Sequence, residues 1–219
     1  MSGDGKGGRR ERLLALGVAS ATAILVAALG ACVTATDHGS DARSLASVDS
    51  FSSIADPTAR SAALFVEMAK VIQHPRCLNC HPATRSPTQG EDLHPHVPPI
   101  SSEEAIFAAG LPCSTCHQTR NSPTSSAGIR SVPGAEHWGL APESMTWQGL
   151  TTREVCQQIQ DPARNGNRSL DKIRVHLAED HLVGWAWHPG EGREPVPGTQ
   201  EQFGELVAAW IETGAHCPQ

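Results

Sequence analysis

Hydrophobic residues along this chain fall into one long run near the start and several short stripes at helical spacing later. The run, 13–31, carries no charge and follows Lys6, Arg9, Arg10 and Arg12. Beyond it, 33–56 is rich in Ser, Thr, Asp and Ala and reads as a flexible tether. Asp56-Pro57 predicts a helix start, because Asp suits the N-cap and Pro the first turn. Leu64, Phe65, Met68, Ala69 and Ile72 then recur on one helical face, and His74-Pro75 ends it. From 81 to 111 prolines dominate, interrupted by a capping box at 101–104 and a short helix over 105–109. The stretch 119–139 has no period and reads as irregular. Thr151 with Glu154 starts a helix through Ile159, halted by Pro162. Ser169 caps another to about Asp180. Thr199 with Gln202 caps the last, whose stripe is Phe203, Leu206, Val207, Trp210 and Ile211, with Gly214 as the stop.

The first run belongs to a leader. Positive charge, an apolar stretch and small residues before Cys32 are the order of an export signal. Leu29-Gly30-Ala31-Cys32 resembles a bacterial lipoprotein box, which implies cleavage before Cys32 and lipid on it. The alternative is an uncut signal anchor, since 19 residues also span a bilayer. Either reading puts the rest outside the cytoplasm, and the lipoprotein reading makes this a periplasmic, membrane-anchored protein. The Arg9-Arg10 pair lacks the flanks of a twin-arginine signal. Three regions follow: a signal peptide at 1–31, a tether at 32–56 and one domain at 57–219.

Composition narrows the class. There is no Tyr, with 4 Phe, 5 Trp, 20 Gly and 16 Pro in 219 residues. Strands favour β-branched and aromatic side chains, which argues against an all-β sandwich. The prolines exclude a long coiled coil. The net charge is −6 and becomes −8 once 1–31 is removed, so a nucleic-acid partner has no electrostatic support. An acidic surface favours a basic patch on a docking partner.

The cysteines carry the chemistry. Cys77-Leu78-Asn79-Cys80-His81 and Cys113-Ser114-Thr115-Cys116-His117 are both C-x-x-C-H, the attachment signature of c-type haem. Two thiols three positions apart reach the two vinyl groups of one haem, and the following His brings an imidazole under the iron. The competing reading is a four-Cys zinc site from the two pairs, in a zinc-stabilised surface lipoprotein. With Cys32 assigned to lipid, Cys156 and Cys217 remain as a pair, free or disulfide-bonded. A bond would close a loop of about 60 residues, contributing on the order of 4 kcal/mol in the chain-entropy model.

The second axial ligand decides the reaction class: two strong ligands make an electron carrier, an open position a peroxidase or gas-reactive enzyme. Candidates are His96, on a loop held by prolines and expected over the first iron, and Met145 and His137 downstream of the second motif. His176 shares a helical face with Ile173 and Leu177. Trp138, Trp185 and Trp187 read as core aromatics that also suit a porphyrin edge.

The two motifs resemble dihaem cytochromes c. Further segments resemble a family of small exported haem proteins labelled isoquinoline 1-oxidoreductase subunit. They are 74–82, Leu93-His94-Pro95-His96, Met145-Thr146-Trp147-Gln148-Gly149, 161–166, 182–187 and 209–214, over roughly 60–218. That family pattern has a His after the Trp of His137-Trp138, where this chain has Gly139, so no ligand is expected at 139. The resemblance implies a redox partner, a molybdenum-containing hydroxylase that oxidises N-heterocycles or aldehydes. It does not imply molybdenum in this chain. The expected fold is mainly α with extensive irregular loops, short helices wrapped around two covalent haems. The expected role is electron transfer rather than catalysis, since no nucleophile elbow or nucleotide-binding Gly motif occurs.

Overall fold

The computed structural model describes residues 43–125 and 129–219. The leader, Cys32 and residues 33–42 of the tether lie outside the described residues. Helix α1 (Pro57–Ile72) starts as the sequence predicts, with the Asp56 carboxylate accepting the Ala59 N–H at 2.9 Å. A short turn of helix, α2 (Pro75–Leu78), enters the first motif. Helix α3 (Glu103–Ala108) begins two residues earlier than expected, and its cap is Ser102 rather than Ser101, whose place the Ser102 hydroxyl takes by accepting the Ala105 N–H. Helices α4 (Thr152–Gln160) and α7 (Gln200–Glu212) each carry a full capping box, at Thr151/Glu154 and Thr199/Gln202. Ser169 caps α5 (Leu170–Glu179), and Asp180 caps the short α6 (His181–Gly184).

Two small hairpins stand where the sequence reads as loop. Strands β1 (Thr88–Gln89) and β2 (His94–Pro95) pair antiparallel, as do β3 (Arg120–Pro123) and β4 (Ser131–Ala135). Both are too short and too polar to show a period of two. The described fold is thus mostly helical, with two small sheets.

Helix α7 packs between α1 and α5. Phe65 meets Trp210 with ring centroids 5.1 Å apart, and Phe203 meets Trp187 at 5.7 Å. Gly204 permits the close approach to α5, since a Cβ there would lie 2.8 Å from the Ala178 Cβ. Val155 and Ile159 of α4 complete the side-chain core. A disulfide joins Cys156 of α4 to Cys217, with 5.7 Å between Cα atoms. Buried Ser61 accepts the His216 N–H at 2.8 Å and donates to the Trp210 carbonyl at 3.1 Å, holding the C-terminus against α1.

The packed domain begins before Pro57, which corrects the boundary read from the sequence. Leu45 is buried in the core, and the Ala46 N–H donates to Glu67 at 2.8 Å. One apolar side chain in a Ser-rich stretch gives no periodic signal, so the tether and the packed segment look alike in sequence.

Among the described residues no helix is long and apolar enough to cross a membrane. The core reaches the first motif through Met145, Trp147, Cys77 and Leu78, whereas no residue of 113–117 belongs to it.

Candidate functional site

His74 begins the first motif. Its Nδ1 accepts the Arg76 N–H at 3.2 Å and caps the turn that follows. The N–H groups of Cys80 and His81 both return to the Cys77 carbonyl, at 3.1 and 3.0 Å. Cys77 and His81 therefore stand one helical turn apart on the same side. The His81 Nδ1 lies 2.6 Å from the Met145 carbonyl oxygen. A carbonyl only accepts, so Nδ1 carries the hydrogen and Nε2 keeps its lone pair. Trp147 stacks on the imidazole at 3.5 Å and 3°. The His81 carbonyl in turn accepts from the N–H groups of Trp147 and Gln148. Burial pushes the His81 pKa down to about 4, opposed by the Met145 carbonyl and assisted by the nearby charge of His176. The ring is neutral at pH 7.

The second motif repeats this plan with different parts. A 3-10 turn, Cys113–Thr115, brings the His117 N–H to the Cys113 carbonyl at 2.9 Å. The His117 Nδ1 donates to the Pro133 carbonyl of β4 at 2.8 Å, which again leaves Nε2 bare. Gly134 lets β4 come this close, because a Cβ there would run into the carbonyl oxygens of Gln118 and Arg120. Trp138 stacks on the His117 ring at 4.8 Å and 11°. Trp185 stands edge-on to Trp138 at 4.9 Å and donates from its indole N–H to Asn121 at 2.8 Å. Burial lowers the His117 pKa, the Pro133 carbonyl opposes this, and the charges of His96 and Arg193 add to it.

A further histidine stands against the second motif. The His96 ring centroid lies 5.9 Å from that of His117, with 61° between the planes. Its Nδ1 donates to the Pro98 carbonyl at 2.8 Å and so frees Nε2. An imidazole nitrogen binds a first-row metal at about 2 Å, so two rings on opposite sides of one metal ion have centroids about 6 Å apart. The His96–His117 separation fits that span. His176 of α5 holds its Nδ1 3.3 Å from Asp180, and its charge is felt at His81. Burial lowers the His176 pKa against the raising influence of Asp180. All four imidazoles thus have Nδ1 turned to an oxygen, the arrangement that orients metal-ligating histidines.

The remaining candidates are placed differently from the expectation. His96 pairs with the second motif, not the first. The Thr88 N–H donates to the Asn79 carbonyl at 3.4 Å, and the Asn79 amide donates to the Gly90 carbonyl at 3.0 Å. The hairpin therefore rests on the first motif and carries His96 across to the second. His137 is exposed at φ 58°, and its neighbour Trp138 makes the contact instead. Met145 is buried in the core and offers its backbone carbonyl on the Nδ1 side of His81.

The four motif cysteines, Cys77, Cys80, Cys113 and Cys116, form no disulfides. Burial pushes the Cys77 thiol up to about 12 and the Cys80 thiol up to about 11, and it raises Cys113 as well. The hairpin that rests on Asn79 of the first motif brings His96 to His117 of the second, so the two motifs adjoin. Among the described residues no three or more His, Cys, Asp or Glu side chains are grouped to hold a metal ion.

The surroundings fit a haem. Two buried donors near the first motif, Arg76 Nε and Trp147 Nε1, have no protein acceptor, and a haem has two carboxylates to offer. Close in sequence to the second site, Val97, Phe107 and Leu111 are exposed by 69%, 70% and 53%. Apolar side chains of that size suit the face of a macrocycle better than water.

Sequence reasoning missed the carbonyls of Met145 and Pro133, because every residue has a carbonyl and none advertises its partner. No family model, curated protein or solved structure matches the chain.

Proposed function

We propose that this chain is an exported electron-transfer protein carrying two covalently attached c-type haems. Haem supplies a one-electron change at iron. Cys77 and Cys80 would hold the first group, and Cys113 and Cys116 the second. Each thiol would add across a vinyl group, forming one S–C bond while the thiol hydrogen goes to the other vinyl carbon. His81 and His117 would hold the two irons, with His176 and His96 as their second imidazoles.

The observation that carries the reading is the His96–His117 pair. The rings are 5.9 Å apart, and each Nδ1 donates to a backbone carbonyl. Those bonds fix ring orientation and raise the basicity of the free nitrogen. Two imidazoles at each iron would leave no open position, which favours a carrier over a dihaem peroxidase. The neutral state of His81 at pH 7 suits the same role.

The leader and Cys32 support a periplasmic site with a lipid anchor. The sequence resemblance supports a molybdenum-containing dehydrogenase as electron donor, and the acidic chain favours a basic docking patch on it.

Pyridine haemochrome and intact-mass measurements on protein matured with the c-type machinery test this. Two haems per chain, with a Soret band unmoved by carbon monoxide after reduction, are expected. Zero haem with bound zinc overturns the reading in favour of a zinc-stabilised lipoprotein. Carbon monoxide binding at neutral pH overturns the carrier in favour of a gas-reactive enzyme.

A further inference from the structure

Arg76 is an unusual buried cation. Its side chain is 2% exposed, its Nη2 pairs with Glu91, and its Nε has no protein partner. A buried guanidinium is costly unless its charge and donors are met. Glu91 meets only part of the demand, since its side chain is 53% exposed. The same Glu91 oxygen accepts the Glu194 N–H at 3.4 Å, which brings Arg193 into the same neighbourhood. Arg193 is anchored by Ser131 and Pro189. Its Nη1 donates to the Ser131 hydroxyl at 2.8 Å and the Pro189 carbonyl at 3.2 Å, and its Nη2 to the Ser131 carbonyl at 2.6 Å.

Arg76 stands beside Cys77 in α2, and Arg193 is tied to Ser131 of β4, the strand whose Pro133 carbonyl accepts from His117. The charge of Arg76 is felt at Cys77 and Cys80, and that of Arg193 at His117. Burial and then Arg76 depress the Arg193 pKa. Arg76 pairs with the half-exposed Glu91, and the N–H of Glu194, next to Arg193, reaches the same carboxylate oxygen.

We infer that Arg76 and Arg193 form a carboxylate seat between the two motifs, which receives a haem propionate through the uncommitted Arg76 Nε. The inference rests on the two-haem reading. The pair acts as positioning residues: it fixes the propionate, neutralises its charge and so favours the reduced iron. The carboxylate comes from either the first or the second haem, and the same chemistry serves both.

The test is spectroelectrochemical titration of full-length matured protein, wild type against Arg76→Gln, Arg193→Gln and Arg76→Lys, after a haem count. Each Gln variant should keep two haems and shift at least one reduction equilibrium about tenfold toward the oxidised form, about 59 mV for one electron. Arg76→Lys should recover most of that shift, because it keeps the charge. The haem whose potential moves identifies the carboxylate's source. If Arg76→Gln does not fold, Arg193→Gln, which is half-buried, decides alone. Unchanged potentials with two haems present overturn this seat and leave the two-haem reading standing. Wild-type protein without haem overturns both.

Discussion

Trp147 lies flat on His81, with 3.5 Å between ring centroids and 3° between planes. The two residues are bound once more through the backbone, since the His81 carbonyl accepts the Trp147 N–H at 3.0 Å, and the His81 Nδ1 donates to the carbonyl of Met145, two residues before Trp147. One short segment, 145–147, thus fixes the position, tilt and tautomer of the first motif's imidazole. Trp138 plays the corresponding part at His117, at 4.8 Å.

Removing that stack should loosen the first site. Trp147→Ala deletes a side chain that is 5% exposed, and buried Trp truncations destabilise by about 3–5 kcal/mol. Trp147→Phe should recover part of the loss. Urea unfolding followed by circular dichroism measures the stability. Low-temperature electron paramagnetic resonance should show one of two ferric signals altered while the other keeps its g-values.

The distal assignments predict a clean contrast. His96→Ala should open the second iron, so that about half the haem in reduced protein binds carbon monoxide. His137→Ala should leave the Soret band unmoved, because His137 is exposed. Equal carbon monoxide binding in the two variants would refute the assignment of His96.

Gly134 is a steric test of the second site. Any Cβ at this position meets the carbonyl oxygens of Gln118 and Arg120, so Gly134→Ala should push β4 away from His117 and lengthen its bond to Pro133. Weakening an oxygen partner of a metal-bound imidazole lowers ligand basicity. The second haem's potential should rise while the first stays unchanged, read by redox titration.

The disulfide should act on stability alone. Replacing Cys156 and Cys217 together with Ala should cost about 4 kcal/mol in unfolding free energy. Haem content and potentials should not change, since the bond joins α4 to the C-terminus and neither cysteine belongs to a motif.

Helix starts were readable because a cap is a local event. Asp56, Thr151, Ser169 and Thr199 each accept an N–H from a residue three positions later, in keeping with the residue types at those positions. The hairpins were not readable. In 88–95 the pairing of Gln89 with His94 depends on contacts with Asn79, nine residues away from Thr88. Leu45 looks like tether in the sequence because its core neighbours arrive from helices far along the chain.

The candidate site divides along the same line. The two Cys pairs and the histidine after each are chosen by spacing along the backbone, which a sequence states outright. The local turns follow, because the His81 and His117 N–H groups each find a carbonyl four residues back. Which second imidazole faces which motif is a different kind of fact. His96 crosses from one motif to the other on a hairpin, and His176 arrives on a helix about 95 residues beyond His81. The carbonyls of Met145 and Pro133 and the shared position of Arg76 and Arg193 likewise exist only once distant segments pack. Such contacts are made between chain segments whose separation carries no period, so only the tertiary structure decides them.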